Sequence, residues 1–440
     1  MGNPSDNQEL NTAQCPYLEL ALLLAVSGLD GLIDSSFGPS LQDLQCLYSV
    51  SVQTISTLFP VYAGFKTAGS VLYVPVHAVF NVYTLMVLCV LVSSCLVLVI
   101  PLCSSFWAAA AASSGLGLTS GVVNSARVAK IGALSQESAI PLHLMGIAMC
   151  AGNILGPLII SPFLNNTINQ SNASNMSDLF VTSIECGGSD SRIAYAYLII
   201  ASTGTLLVIV LAVLRYCLQN SPKQDSDQKN NYSFGKMEII FVSFQISLIF
   251  MGGATNFVYG TLLLLFGTRS SLSLPETTMA LMTSSFYAVT LLGRVGGLFV
   301  SLVVRQLCLV TSCLVGVLAA SVFLVCTAEM SSEFLWAGSH FLGLCYAPLF
   351  SALLAWCVEN VTVNDTLYAI FIFFDLAGTS LISLTIGQLM SDFQPQMLHY
   401  TMAMIAFIQI LLFLCLFFFG KLLRKQYKEA YTHLAGTKSG

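Results

Sequence analysis

The residues best suited to chemistry in this chain are a few ionisable side chains set in apolar surroundings. Asp30 and Asp34 lie four residues apart in the run LLLAVSGLDGLIDSSF. On a helix that spacing projects both carboxylates from one face. At a rise of about 1.5 Å per residue, Asp30 sits about 18 Å and Asp34 about 24 Å beyond Leu18. Carboxylate oxygens at that depth can ligate Na+, and a buried carboxyl can carry a proton; the plainer alternative is a structural ion pair. Lys66 and Arg294 are the candidate partners, in a switchable or a permanent salt bridge, with Arg294 the better inter-helix clamp because Gly293, Gly296 and Gly297 surround it. Asp375 is a third carboxylate, either a partner of Arg294 or a further proton-sensitive group.

A second set has the chemistry of hydroxyl recognition. Asn124, Asn153 and Asn256 each offer a paired donor and acceptor. The rings of Tyr62, Trp107, Tyr259, Tyr346 and Trp356 can stack on a sugar face, although intramembrane aromatics mostly pack. His143 reads as a hydrogen-bonded structural residue or a proton relay.

These side chains need a scaffold, and the composition says which. The chain has 440 residues, 56% hydrophobic and 8% charged, with a net charge of −5. An average soluble chain is about 25% charged, so this one cannot coat a soluble surface. A disordered protein is excluded, and no basic footprint for nucleic acid is present. Apolar runs long enough to cross a bilayer as helices occur twelve times, at 18–37, 55–76, 82–100, 106–128, 142–164, 194–214, 239–264, 279–303, 307–328, 335–358, 367–390 and 400–419.

Lys and Arg orient these spans. With the N-terminus in the cytoplasm, Arg127, Lys130, Arg215, Lys223, Lys229, Lys236, Arg305, Lys421, Arg424, Lys425, Lys428 and Lys438 fall inside. Only Arg192 and Arg269 fall outside, while Lys66 and Arg294 lie within spans. Asn165, Asn169, Asn172 and Asn175 each begin a glycosylation triplet in the loop placed outside. The triplets at Asn360 and Asn364 fall inside and are expected to stay unmodified. Residues 1–17 are polar and carry no Lys or Arg, so no cleavable signal is expected.

Most of the 14 cysteines lie in spans, where Cys acts as a small hydrophobe. Cys46, Cys103 and Cys186 face the oxidising side, and no pairing among them is assigned. The run 115–121 holds Gly117 and Gly121, a small-residue seam for close helix packing.

Six spans precede the polar stretch 219–236 and six follow. The expected organisation is a cytoplasmic tail (1–17), a six-helix bundle (18–217), a linker (218–236), a second bundle (237–420) and a cytoplasmic tail (421–440). At an offset of 226 residues Gly152 falls on Gly378, Leu155 on Leu381, Leu158 on Leu384 and Asp30 on Asn256, a faint internal repeat. Spans three, six, nine and twelve carry no charge, as suits helices facing lipid. Spans one, two, eight and eleven hold Asp30, Asp34, Lys66, Arg294 and Asp375, and intramembrane charge persists only when paired or facing a wet cavity.

The order of motifs then resembles a known family. Phe37-Gly38-Pro39 with Asp43-Leu44 is similar to a signature of the sodium-dependent glucose transporter-like branch of the major facilitator superfamily. Gly69-Ser70, Asn124, Leu142-His143, Gly156-Pro157, Tyr259-Gly260, the run 281–287 with Gly293-Arg294, and Gly343-Leu344 through Phe350 with Trp356 follow in register. The chain departs from that pattern where the family has an acidic residue before Tyr-Gly in span seven, here Asn256, and after the glycine of span eleven, here Thr379. The charged loop between spans two and three is reduced to Pro75-Val76-His77-Ala78, and a tryptophan after Asn124 is missing.

The resemblance implies an all-α polytopic membrane protein, twelve transmembrane helices in two six-helix bundles. It implies a plasma-membrane secondary transporter, moving a small polar solute, a hexose first, by alternating access. Asp30, Asp34 and Asp375 would carry coupling to Na+ or H+; Asn124, Asn153, Asn256, Tyr259, Tyr346 and Trp356 would meet the solute; Lys66, Arg294 and His143 would gate. The alternatives are an uncoupled uniporter and a solute-sensing receptor or scaffold. No enzyme, metal site, nucleic-acid partner or obligate protein partner is expected.

Overall fold

A computed structural model describes residues 4–50, 54, 55, 57–135, 138–163, 192–219, 236–361 and 363–437. Its helices are α1 (Pro4–Tyr48), α2 (Leu58–His77), α3 (Val82–Val99), α4 (Phe106–Leu134), α5 (Ile140–Ile160) and α6 (Ile193–Gln219) in the first half. The second half has α7 (Lys236–Arg269), α8 (Glu276–Val303), α9 (Gln306–Thr327), α10 (Ser332–Tyr346), α11 (Leu349–Val358), α12 (Asp365–Asp392) and α13 (Met397–Thr437). Helices α1 to α9 are spans one to nine, α10 and α11 together make span ten, and α12 and α13 are spans eleven and twelve. Ten stretches among the described residues are long and apolar enough to cross a membrane. The other two spans are α2, whose apolarity Lys66 and its other polar positions lower, and α7, whose side chains are described only in part.

Polar side chains set several helix starts. Asn81, Ser105, Ser331 and Asn364 accept from the backbone N–H groups of Tyr83, Ala108, Phe334 and Leu367, relieving donors left unpaired by the first turn. Two boundaries differ from expectation. The polar N-terminal stretch is helical from Pro4 and continues into span one, so the tail and the first span are one rod. Span ten, expected to be continuous, is interrupted at Ala347 and Pro348, because proline lacks the N–H that a through-helix requires.

Each half is built from the same three pairings. Helix α1 packs on α5, α2 on α4 and α3 on α6; correspondingly α7 packs on α12, α8 on α10 and α9 on α13. Small residues make these contacts close. A Cβ at Gly152 would stand 2.0 Å from the Gly28 carbonyl oxygen of α1, and one at Gly378 would stand 1.9 Å from that of Phe250 in α7. The faint repeat is therefore a structural one, and its leucines agree: Leu155, Leu158, Leu381 and Leu384 are all exposed. The α2–α4 seam repeats as well. Gly69 abuts Leu118 and Gly117 abuts Lys66; in the second half Gly293 abuts Leu344 and Gly343 abuts Thr290. By this correspondence Lys66 and Thr290 are equivalent positions.

The halves meet through α2 with α12, α5 with α8, α4 with α12 and α5 with α11. At the end of the bundle where both termini lie, the Tyr368 ring of α12 presses on Gly132 of α4. That end is closed.

Gly121 tests the seam, since a Cβ there would stand 2.0 Å from the Lys66 carbonyl oxygen, whereas Gly296 has nothing within 4 Å. Gly121→Leu should force α2 from α4 and cost more than the about 1–3 kcal/mol of ordinary overpacking. Gly296→Ala should leave the unfolding temperature of the detergent-solubilised protein unchanged. Equal stability of the two variants would contradict the seam.

Candidate functional site

Between the halves lies a cavity of about 170 Å³ lined by residues of both bundles. A cavity of about 10–15 Å³ suffices for one water, so this one is wet. Around it the first half arranges four charges. The α1–α5 seam turns the Asp30 and Asp34 face of α1 toward α2 and α4, while Gly117 and Gly121 bring the Lys66 backbone against α4. Lys66 donates from Nζ to both carboxylate oxygens of Asp34, each at 2.8 Å, and to Oδ1 of Asp30 at 3.1 Å. Arg127 donates from Nη2 to Oδ2 of Asp30 at 3.2 Å and also to the side-chain oxygen of Asn124. The Tyr62 hydroxyl donates to Asp34 at 2.6 Å, and the Lys66 ammonium stands 5.6 Å from the Tyr62 ring centre. Asp30, Lys66 and Arg127 are buried, Asp34 nearly so. Two acids and two bases leave this tetrad neutral.

The second half contributes Arg294 and Asp375, both lining the cavity. Arg294 reaches across the interface, its Nη1 2.2 Å from where a Cβ of Gly146 would be. A side chain at Gly146 would have to displace the tip of Arg294. Asp375 lies within electrostatic reach of Arg294 and Lys66, but no hydrogen bond joins Arg294 to Asp375 among the described residues. Oδ1 of Asp375, Nε of Arg294 and both Nε and Nη1 of Arg127 have no hydrogen-bond partner among the described residues. Buried groups of this kind rarely stay unpaired, and here they belong to residues that line the cavity.

Of the residues picked out by type and spacing, the structure gathers Asp34, Lys66, Asn124, Asn153, Arg294, Tyr346 and Asp375 around this cavity, with Asp30 directly behind Lys66. The Tyr346 hydroxyl donates to Gln409 at 3.0 Å. His143 lies below the cavity toward the closed end, buried beside Gln306 and Arg294. Two residues expected to meet solute do not line the cavity. The Tyr259 hydroxyl shares a hydrogen bond with Ser339 at 2.7 Å and faces His399, inside the second bundle. Trp356 is packed between Phe241 and Phe413. Both sit on helices apolar nearly all round, where ring identity does not tell which side faces the cavity. The side chain of Asn256 and the residues Asn165, Asn169, Asn172, Asn175 and Cys186 lie outside the described residues. Cys103 is a free thiol, and Cys46 is disulfide-bonded.

Arg127 is the residue that sequence reasoning misplaced. It counts among the cytoplasmic cations if α4 ends at Val128, but α4 continues to Leu134, which draws Arg127 back into the bundle at 1% exposure. Its spacing three residues after Asn124 was the available signal: it puts both on one face.

No family model matches the chain. It is 21% identical over 407 residues to sodium-dependent glucose transporter 1 of Danio rerio, a match covering 90% of this chain and 68% of that protein. Among solved structures it is similar to the major facilitator transporter FucP in the outward conformation, at 12% identity and a TM-score of 0.64, over 92% of this chain and 98% of that one. It is also similar to the proton:xylose symporter XylE, at 10% identity and a TM-score of 0.66, over 89% and 94% of the two chains. A bacterial homologue of the iron transporter ferroportin in the outward-facing state gives 11% identity and a TM-score of 0.67, over 90% and 98%.

The tetrad makes a direct thermodynamic prediction. Removing one member of a buried ion pair typically costs about 3–5 kcal/mol, because the other charge is left uncompensated. Asp30→Asn should lower the stability of the purified protein by that order, and Arg127→Gln added to Asp30→Asn should recover part of the loss. A double-variant cycle by thermal unfolding checks it; strict additivity would show that the two groups do not interact.

Proposed function

We propose that this chain, which has the major facilitator fold and resembles the sodium-dependent glucose transporter-like branch, moves a small neutral polar solute across a membrane by alternating access, with a hexose as the first candidate. The proteins it resembles are transporters and not enzymes. The observation that carries the reading is the cavity between the halves, which Arg127, Arg294 and Asp375 line together with Asn124 and Asn153. Donors and acceptors in one wet chamber suit a solute that has both in one group, as a hydroxyl does. Three acids (Asp30, Asp34, Asp375) stand against three bases (Lys66, Arg127, Arg294), so a neutral solute disturbs the balance least. Asn153 and Tyr346 supply further polar contacts and an aromatic wall.

The likeness to a sodium-dependent glucose transporter, to the Escherichia coli fucose:proton symporter FucP and to the proton:xylose symporter XylE supports a sugar. That of the ferroportin homologue names iron, but among the described residues no group of His, Cys, Asp and Glu could hold a metal ion. Coupling to Na+ or H+ would run through Asp30, Asp34 and Asp375. The neutrality of the tetrad favours the uncoupled form of the same cycle, because the first two carboxylates already have cations on them.

The closed end of the cavity is the end where the termini lie, which the charge bias of the loops assigns to the cytoplasm. The conformation is then outward-facing. The halves would next close over the solute at the far end and part at Tyr368 and Gly132.

Counterflow of labelled hexose into proteoliposomes tests the transport reading. The intact protein should show counterflow without any ion gradient, and Asn153→Ala or Asp375→Asn should raise the half-saturating hexose concentration about tenfold, the equivalent of about 1.4 kcal/mol. Absence of counterflow for every hexose tried would remove the sugar. For orientation, replacing Asn165, Asn169, Asn172 and Asn175 by Gln should abolish a glycosidase-sensitive mobility shift in a eukaryotic host. A shift that persists through Asn360 or Asn364 would invert the topology.

A further inference from the structure

We infer that the Lys66 ammonium is the resident cation of this transporter, occupying with a tethered charge the carboxylate site where a diffusible Na+ would otherwise bind, so that the cycle does not draw on Na+. The inference rests on the transport reading above.

Three observations carry it. First, the ammonium is enclosed by carboxylate oxygens as a bound metal ion would be: three of them, from two aspartates, lie at 2.8, 2.8 and 3.1 Å. All three donors of the ammonium find an acceptor, which a lysine reaching toward the interface would not arrange. Second, the charges sum to zero without help. Arg127 holds the remaining oxygen of Asp30, and Tyr62 donates to Asp34. An added Na+ would leave a net positive charge buried beside Lys66, and a buried uncompensated charge is strongly disfavoured.

Third, the charges occur as a set. The matching contacts of Gly152 on Gly28 and of Gly378 on Phe250 put Gly252 where the first half has Asp30 and Asn256 where it has Asp34, and the α2–α4 seam puts Thr290 where it has Lys66 and Leu353 where it has Arg127. The second half has none of the four. A lysine present for general packing would have no reason to accompany the aspartates. One that balances them would.

Other charged groups near the cluster do not replace it. Asp375 and Arg294 come from the opposite half, and His143 lies at the closed end beside Gln306. Among the described residues, Lys66 alone hydrogen-bonds to both aspartates.

The proposal predicts a change in ion dependence when the tethered charge is removed. Thermal unfolding of the purified full-length protein is compared in NaCl and in choline chloride at equal ionic strength. The unaltered protein and Lys66→Arg should unfold at the same temperature in both salts. Lys66→Met, left with an excess carboxylate, should be stabilised by several degrees in NaCl over choline. The double variant Lys66→Met with Asp30→Asn, neutral again, should be indifferent to Na+ and should fold even if Lys66→Met alone does not. Stabilisation of the unaltered protein by Na+, a folded Lys66→Met indifferent to Na+, or a double variant no better folded than Lys66→Met would each overturn the assignment. Hexose counterflow in the same two salts is the separate arm: its absence in both refutes the sugar, while the unfolding comparison still judges Lys66.

Discussion

The structure turns on the cost of holding four charges out of water. Asp30 and Asp34 from one helix, Lys66 from a second and Arg127 from a third neutralise one another within the first bundle, and none could be left alone at that depth without large destabilisation. Helices α1, α2 and α4 must therefore stand close enough for direct bonds between their side chains. Glycines provide that approach at Gly152 for α1 on α5, and at Gly117 and Gly121 for α2 on α4. The unremarkable small residues and the costly charged ones form one device, in which backbone proximity determines where the ammonium sits.

That device is one-sided. The second bundle has the same helix pairings and the same close contacts, yet its equivalent positions are uncharged, and its cavity charges, Arg294 and Asp375, fall elsewhere. The two halves thus divide their labour. The first carries a neutral cluster whose charges bond to one another, and the second brings Arg294 and Asp375 to the cavity. In the proposed alternating-access cycle a solute bridging the halves would meet both kinds of surface.

Much of this was legible in the residues. An Asp or Lys in a run of leucines costs too much to be incidental, so Asp30, Asp34, Lys66 and Asp375 stood out, and the 3.6-residue period put the first two on one face. The repeat was visible through Gly152 and Gly378. What could not be read was direction around a helix that is apolar on every side. Tyr259 and Trp356 are as polar-tipped as Tyr346, but the first two turn into the bundle and the third toward the cavity. Arg127 was obscured for another reason: hydropathy marks where a span stops being greasy, while the helix itself continues, so a residue counted with the loop was two turns inside.

The break at Pro348 has a mechanical consequence. An unbroken span ten would transmit any tilt along its whole length. As two rods meeting at a joint, α10 packs on α8 and α9 of its own bundle, while the short α11 packs on α9 and α7 and also touches α5 of the other one. The joint therefore sits where the second bundle meets the first, and Gly297 lets the Pro348 ring lie close against α8 at that point.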